Sequence, residues 1–355
     1  MAPQIQWLMG TAGELFVSLY VLHRPLNFGL RPSWAAGVRS RLPADQREFL
    51  ERTLTFLPVP LPFLQSLDHK NWSASSALAA LDQLLPADRL VTLLRSHETT
   101  PELMSTMQAI SGRGKALPKD VNVLRSALAK RRLAKPALAL QNLITALSNP
   151  VAFGEDLLTA LQTYHRVFFV EEEPRLLEAL GNALAVGQKD AQTTHVIDLL
   201  QKLTGGVSFS IPEGVQSVVL APSYWGSPLT FFSRVSPTTM MVMYGARPQD
   251  VPLVPGDQVP SALLNGLKAL ADPTRLRILH YLSESPLSPA DLARKLRLRP
   301  PTVIHHLAAL RLAGLVEVTI LPDGDRRYAL RRAGLTSVEM QLITYLSVET
   351  SEQTT

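Results

Sequence analysis

Apolar residues recur at helical spacing along most of the first 204 residues, and prolines break the pattern at intervals. Leu15, Leu19 and Leu22 mark one amphipathic stretch. Further helices are predicted over 43–57, 74–85, 86–97, 121–133, 136–147, 151–164, 174–186 and 191–203. Each is opened or closed by proline or by polar residues. Residues 3–22 read as one folded helix carrying Glu14. No fixed period recurs, so a solenoid is not indicated. Gly205-Gly206 ends the helical part, and the pattern then changes. Residues 215–221, 229–235 and 239–244 read as strands, for which a small antiparallel sheet is the expectation. Residues 246–260 hold four prolines (248, 252, 255 and 260) and read as a linker.

The segment 267–330 is the most structured part of the pattern. It reads LKALADPTRLRILHYLSESPLSPADLARKLRLRPPTVIHHLAALRLAGLVEVTILPDGDRRYAL. Asp272 can cap a helix whose first residue is Pro273, a position where proline loses no needed donor. Leu276, Ile278, Leu279 and Leu282 give that helix an apolar side. Ser288-Pro289 repeats the start, with Asp291 in the first turn, where negative charge is favoured. Leu292 and Leu296 face inward. After a tight link of Arg297, Leu298 and Arg299, Pro300-Pro301 opens a third helix, in which Val303, Leu307 and Leu310 form a buried stripe. Gly314 ends it as a left-handed cap would. Residues 315–321 and 327–330 are strands, and Pro322-Asp323-Gly324-Asp325 is the turn between them.

Three short helices and a charged hairpin make a winged helix-turn-helix, a shape that suits one helix in the major groove and the hairpin on the backbone. The fold class is therefore mainly α, with five expected spans. These are a helical N-terminal domain (1–204), a small β region (205–245), a linker (246–260), the winged helix-turn-helix (261–335), and a dimerisation helix with a tail (336–355).

The order ADPTRLRIL, LSPADLARKL, PPTVIHHLAALRLAGLVE, DGDRRYAL resembles the ArsR/SmtB family of bacterial winged-helix repressors. The resemblance spans roughly residues 261–348 and is specific, because several pieces recur in order at the right spacings. It implies a homodimer on a two-fold double-stranded DNA site, with residues 301–313 as the reading helix. Helices around 261–271 and 336–348 would form the dimer interface. On the last of these, Leu335, Val338, Leu342 and Leu346 make an apolar stripe. The first half of the chain also looks like an N-terminal region found fused to this module in related regulators. ArsR-type metal sensors place cysteines before the reading helix, or His and carboxylate pairs on the last helix. Here those helices read SPADLARKL and TSVEMQLITYLSVE, so no metal or other cofactor is expected. Any small-molecule effector would act through the N-terminal region, or through a site that the sequence does not reveal.

The residues opposite the Val303/Leu307/Leu310 stripe are Pro300, Pro301, Ile304, His305 and Ala308. The family's usual small polar residues are missing there. His305 is the base-reading candidate, and Ile304 suits a thymine methyl. Arg299, Thr302 and Arg311 flank that face as phosphate partners. Arg326 and Arg327 follow the turn and would clamp phosphate or a narrow minor groove from the wing. His306 reads as a packed, hydrogen-bonded residue. Sparse base contacts shift weight to phosphates and DNA shape.

Charge agrees with a nucleic-acid partner. Residues 261–335 carry twelve Lys/Arg against six Asp/Glu, hence +6, while the whole chain is +5. The basic excess therefore lies in this module, as electrostatic attraction to DNA requires.

Composition adds limits. The length suits two or three domains. Cysteine is absent, so disulfides and thiolate metal or redox sites are excluded. No run of eighteen apolar residues occurs, and residues 1–20 carry no basic stretch before their apolar part, so a cytoplasmic protein away from membranes is expected. No catalytic residue is predicted. The nucleophile elbow, the His-Glu-x-x-His zinc motif and the dinucleotide fingerprint are all missing. Glu171-Glu172-Glu173 reads as a favourably charged helix start.

Three other features lie outside this module. The basic run Arg113, Lys115, Lys119, Arg125, Lys130, Arg131, Arg132, Lys135 reads as a solvated helix face, or else as a site for DNA or an anionic effector. Trp7, Trp34, Phe56, Phe63 and Trp72 read as core aromatics, with an apolar effector pocket as the alternative. Tyr224-Trp225-Gly226 falls in a predicted loop. The alternative for the whole chain is a dimeric protein-interaction scaffold that uses the winged helix for assembly alone.

Overall fold

The computed structural model describes residues 3–131, 133–248, 259–321 and 324–347, with Phe209 by its backbone alone. Arg132 of the basic run, most of the linker, Pro322 and Asp323 of the wing turn, and the tail from 348 lie outside the described residues.

The chain opens with a short strand, β1 (Gln4–Trp7), followed by α1 (Ala12–Leu22) and a 3-10 turn at Pro25–Phe28. Eight helices follow: α2 (Pro32–Arg39), α3 (Ala44–Thr53), α4 (Leu61–Gln65), α5 (Ala74–Gln83), α6 (Pro86–Leu94), α7 (Pro101–Arg113), α8 (Pro118–Ala129) and α9 (Pro136–Ser148). Then α10 (Pro150–Tyr164) runs through a π-turn at His165–Phe169 into α11 (Val170–Ala191), and α12 (Val196–Leu203) ends the helical part. Strands β2 (Val207–Phe209), β3 (Ser217–Ser223), β4 (Phe231–Ser236) and β5 (Thr239–Gly245) come next. The C-terminal module consists of α13 (Ser261–Leu270), α14 (Pro273–Glu284), α15 (Pro289–Leu296), α16 (Pro300–Leu312), β6 (Val316–Ile320), β7 (Arg326–Leu330) and α17 (Arg332–Ser347).

Helix α1 is apolar on nearly every side, and accordingly it lies at the centre of the helical body, where all its residues but Tyr20 are buried. The expected helix over 3–22 thus begins only at Ala12. Residues 4–7 instead form a strand that pairs with β3, from Gln4 opposite Ser217 to Trp7 opposite Leu220. The sheet order is β1-β3-β5-β4. Its pairings correct the antiparallel expectation in detail: β1 with β3 and β3 with β5 are parallel, and β4 alone runs antiparallel to β5.

The cause is visible in burial. Val218–Ser223 and Met240–Tyr244 are buried without alternation, the pattern of parallel strands covered on both faces. Val219, Ala221, Met241 and Met243 pack on the helical body, while Val218, Leu220, Val242 and Tyr244 pack on Val196, Leu199 and Leu200 of α12. The residues up to 204 and those of 205–245 therefore share one sheet and one core.

Phe56, Phe63 and Trp72 are buried in that core, and Trp34 stacks on Trp225 with ring centroids 5.9 Å apart. Tyr224 and Trp225 are not a surface loop, for both are buried beneath α1. The Glu14 carboxylate holds them there by accepting from both backbone N–H groups, at 3.1 and 2.9 Å. Burial pushes the Glu14 pKa up to about 7, against the lowering effect of these hydrogen bonds.

The C-terminal module has its own core, centred on Ile278, Leu292, Val303, Leu307, Leu310 and Leu315. Among the described residues it meets the N-terminal body through β2 and through the turn at Gly29. Strand β2 pairs in parallel with β6, making the wing a three-stranded sheet ordered β2-β6-β7. The turn that ends at Gly29 lies against α13 and α16, and a Cβ at Gly29 would stand 2.6 Å from the Asn265 amide and 3.4 Å from Leu312.

Candidate DNA-binding surface

Local chemistry sets each helix of the module. The Asp272 carboxylate accepts from the Arg275 N–H at 2.9 Å and caps α14. Ser288 and Asp291 form a reciprocal capping box at α15. Hydrogen bonds from the Ser288 hydroxyl, Arg294 and the Ser288 N–H pull the Asp291 pKa down to about 2. Arg297 turns the chain with φ at +56°, and Gly314 ends α16 with φ at +67°. Both are left-handed positions, the second suited to glycine.

These boundaries aim α16. Val303, Leu307 and Leu310 are buried. Pro300, Pro301, Thr302, Ile304, His305 and Ala308 are exposed, so the face opposite the stripe is open along the first half of the helix. Ile304 is 50% exposed, a large apolar side chain held in water. Arg299, the residue before the helix, is exposed beside this face and makes no ion pair among the described residues. His306 turns inward, half-buried, with Nδ1 3.9 Å from the Asp272 carboxylate. Burial lowers its pKa, and Asp272 opposes that.

The wing splits its two arginines. Arg326 pairs with Ile320 and Arg327 with Thr319, so the side chains fall on opposite faces of the hairpin. Arg327 is exposed, next to exposed Thr319. Arg326 is half-buried on the face shared with Tyr328. Arg311 is half-buried there too, close enough to Arg326 for the two charges to oppose each other, and burial lowers its pKa. It also lines a cleft of about 260 Å³ with Lys202, Arg247 and Arg331. The structure therefore groups Arg299, Thr302, Ile304, His305 and Arg327 as exposed positions, and sets Arg311 and Arg326 together between helix and wing.

The pairing of β2 with the wing carried little sequence signal. Its one hint was Gly205-Gly206, with φ values of +66° and +97°, which turns the chain from α12 toward β6. The Val318 N–H donates to the Gly206 carbonyl at 2.9 Å, and a Cβ at Gly206 would crowd Arg331 and Glu317 at 3.1 and 3.2 Å.

The Glu171–Glu173 run has structural partners. Glu171 pairs with Arg41 at 2.8 Å, Glu172 with Arg175, and Glu173 accepts from the Thr11 hydroxyl. Among the described residues, no three or more His, Asp or Glu side chains gather as a metal site, and no helix is long and apolar enough to cross a membrane.

Comparison with known proteins places the similarity on this module. The family described as bacterial regulatory protein, arsR family, matches residues 272–318. The HTH-type transcriptional regulator CmtR of Mycobacterium tuberculosis is 40% identical over 94 residues, which is 26% of this chain and 78% of that protein. A second HTH-type transcriptional regulator of M. tuberculosis is 41% identical over 76 residues, 21% of this chain and 69% of that protein. An uncharacterised HTH-type transcriptional regulator of Methanocaldococcus jannaschii is 36% identical over 66 residues, 19% of this chain and 70% of that protein. No solved structure matches the chain.

Proposed function

The chain belongs to the ArsR family of bacterial regulatory proteins, and from that premise we propose how it acts as a DNA-binding transcription regulator. The exposed face of α16 enters the major groove. His305 contacts a base edge and Ile304 a thymine methyl. Arg299, Thr302 and Arg327 hold phosphates. Arg326 and Arg311 set the angle of the wing, their like charges side by side until a phosphate approaches. The reading is supported above all by one observation: an open helix face, free of acidic side chains from Pro300 to Ala308, on a module that carries the basic excess.

Binding as a homodimer on a two-fold site is supported by the apolar side of α17. Met340, Ile343 and Leu346 are 62, 58 and 64% exposed, and Leu267 of α13 is 38% exposed. Residues this apolar in water mark a partner surface. The N-terminal body receives an effector, and the action on transcription is repression.

The test is affinity against salt on operator and random DNA. Arg299→Ala and Arg327→Ala should each weaken both DNAs and flatten the salt slope by roughly 0.9 log units per lost phosphate contact. His305→Ala should cost about 1–3 kcal/mol on the operator alone. An unchanged slope in both arginine variants would remove the backbone contacts from the account.

A further inference from the structure

We propose that the helical body binds an amphiphilic acid, its apolar chain in the cavity between α7 and α8 and its carboxylate head on Arg131. The cavity measures about 540 Å³ and is bordered by Leu94, Leu103, Met107, Leu124, Leu128 and Leu143. That size falls within the roughly 300–1,000 Å³ of small-molecule sites. A neighbouring groove of about 520 Å³ between α8 and α9 is lined by Leu128, Leu140 and Ile144, but its one charged residue, Arg125, is exposed.

One polar feature distinguishes it from a plain apolar gap. Arg131 lines the cavity and is half-buried. It makes no ion pair with a carboxylate among the described residues, and burial lowers its pKa. Tyr20 opposes that lowering, and the charge of Arg24 adds to it. The Arg24 guanidinium rests 3.9 Å over the Tyr20 ring, and its Nη1 is buried without a hydrogen-bond partner. A guanidinium held partly out of water with no acid to neutralise it is costly. A carboxylate offers the paired acceptors that fit a guanidinium. Lys130 adds an exposed positive charge at the rim. Glu98 and Glu102 also stand on the rim, both exposed to water, and neither pairs with Arg131.

The position also bears on the DNA-binding module. Arg24 immediately precedes the 3-10 turn Pro25–Phe28, which packs against α16. An anion on Arg131 would change the charge felt by Arg24, the residue beside the segment that touches α16. The ligand site itself does not depend on DNA binding and is tested without DNA.

Octanoate, dodecanoate and hexadecanoate, below their micelle concentrations, would be titrated calorimetrically into the full chain, with dodecanol as the uncharged control. At least one acid should bind at one site per chain, at least about tenfold more tightly than dodecanol. Arg131→Gln should lose that preference while keeping the melting temperature of the parent, because the residue is half-exposed. Leu103→Trp, which fills the cavity, should abolish binding of acid and alcohol alike. Failure of all three acids to bind, equal binding of acid and alcohol, or unchanged binding in Arg131→Gln would each overturn the proposal.

Discussion

Val207 of the N-terminal body stands directly opposite Val318 of the wing, the first pair of a parallel ladder that continues through Ser208–Thr319 and Phe209–Ile320. Ile320 also packs against the cluster formed by α12 and the main sheet. The wing is thus not a free hairpin. Its β6 edge is occupied by a strand of the body, which ties the wing to the segment after α12 through backbone hydrogen bonds.

Proline at Ser208 removes an amide donor in the middle of β2, where a ladder does not tolerate its loss. Ser208→Pro should raise hydrogen exchange at the Val318 amide, which donates to Gly206. The slow-exchanging amides of α1 and α10 should keep their protection. Equal loss of protection throughout the chain would mean that β2 stabilises the whole fold rather than the wing contact.

The open side of α17 predicts a dimer. Met340→Glu together with Ile343→Glu places charge on a surface that the module does not cover. The double variant should raise the dimer dissociation constant by at least about tenfold, or 1.4 kcal/mol. Sedimentation over a concentration series reads this directly. A variant that sediments as the parent does would put the dimer contact elsewhere.

Glu14 gives a pH dependence with a definite sign. Its folded pKa of about 7 lies above its ordinary value of 4.5, so between these values the folded chain holds a proton that the unfolded chain has released. Stability from this group is intact below about pH 4.5, falls as pH rises to about 7, and is constant above that. Glu14→Gln keeps an acceptor for the Tyr224 and Trp225 amides and removes the titration. Relative to the parent, the variant should gain stability from pH 5 to pH 8, by on the order of 3 kcal/mol at most. Denaturant unfolding at both pH values measures the difference, and a parent–variant gap that does not change with pH would exclude the effect.

What could be read from the sequence was what short-range chemistry decides. Asp272-Pro273, Ser288 with Asp291, and Gly314 each mark a boundary through a bond or a dihedral within a few residues, and the structure has all three. Strand β1 falls inside an expected helix because its partner lies in β3, far along the chain, and four residues hold no period of their own. The same distance hid β2. The stripe expected on the last helix was half right for a different reason. Val338 is buried because Gly266 lets α13 approach: a Cβ at that glycine would stand 2.5 Å from a Val338 methyl. Of the expected stripe Leu346 is exposed, and it is joined in water by Met340 and Ile343, which the stripe did not include. Arg326 and Arg327 looked equivalent as neighbours beyond a turn, but the two-residue period of a strand sends them to opposite faces.

The central claim is that this chain recognises DNA through α16 and the wing. Selection of purified full-length protein on a random double-stranded DNA library tests it most directly. The account predicts enrichment of a two-fold repeat whose half-sites are centred roughly one helical turn apart, about 10–10.5 base pairs or a multiple of that. It also predicts loss of that enrichment with His305→Ala. A library that emerges without an enriched sequence would contradict the claim and leave the winged helix as an assembly element.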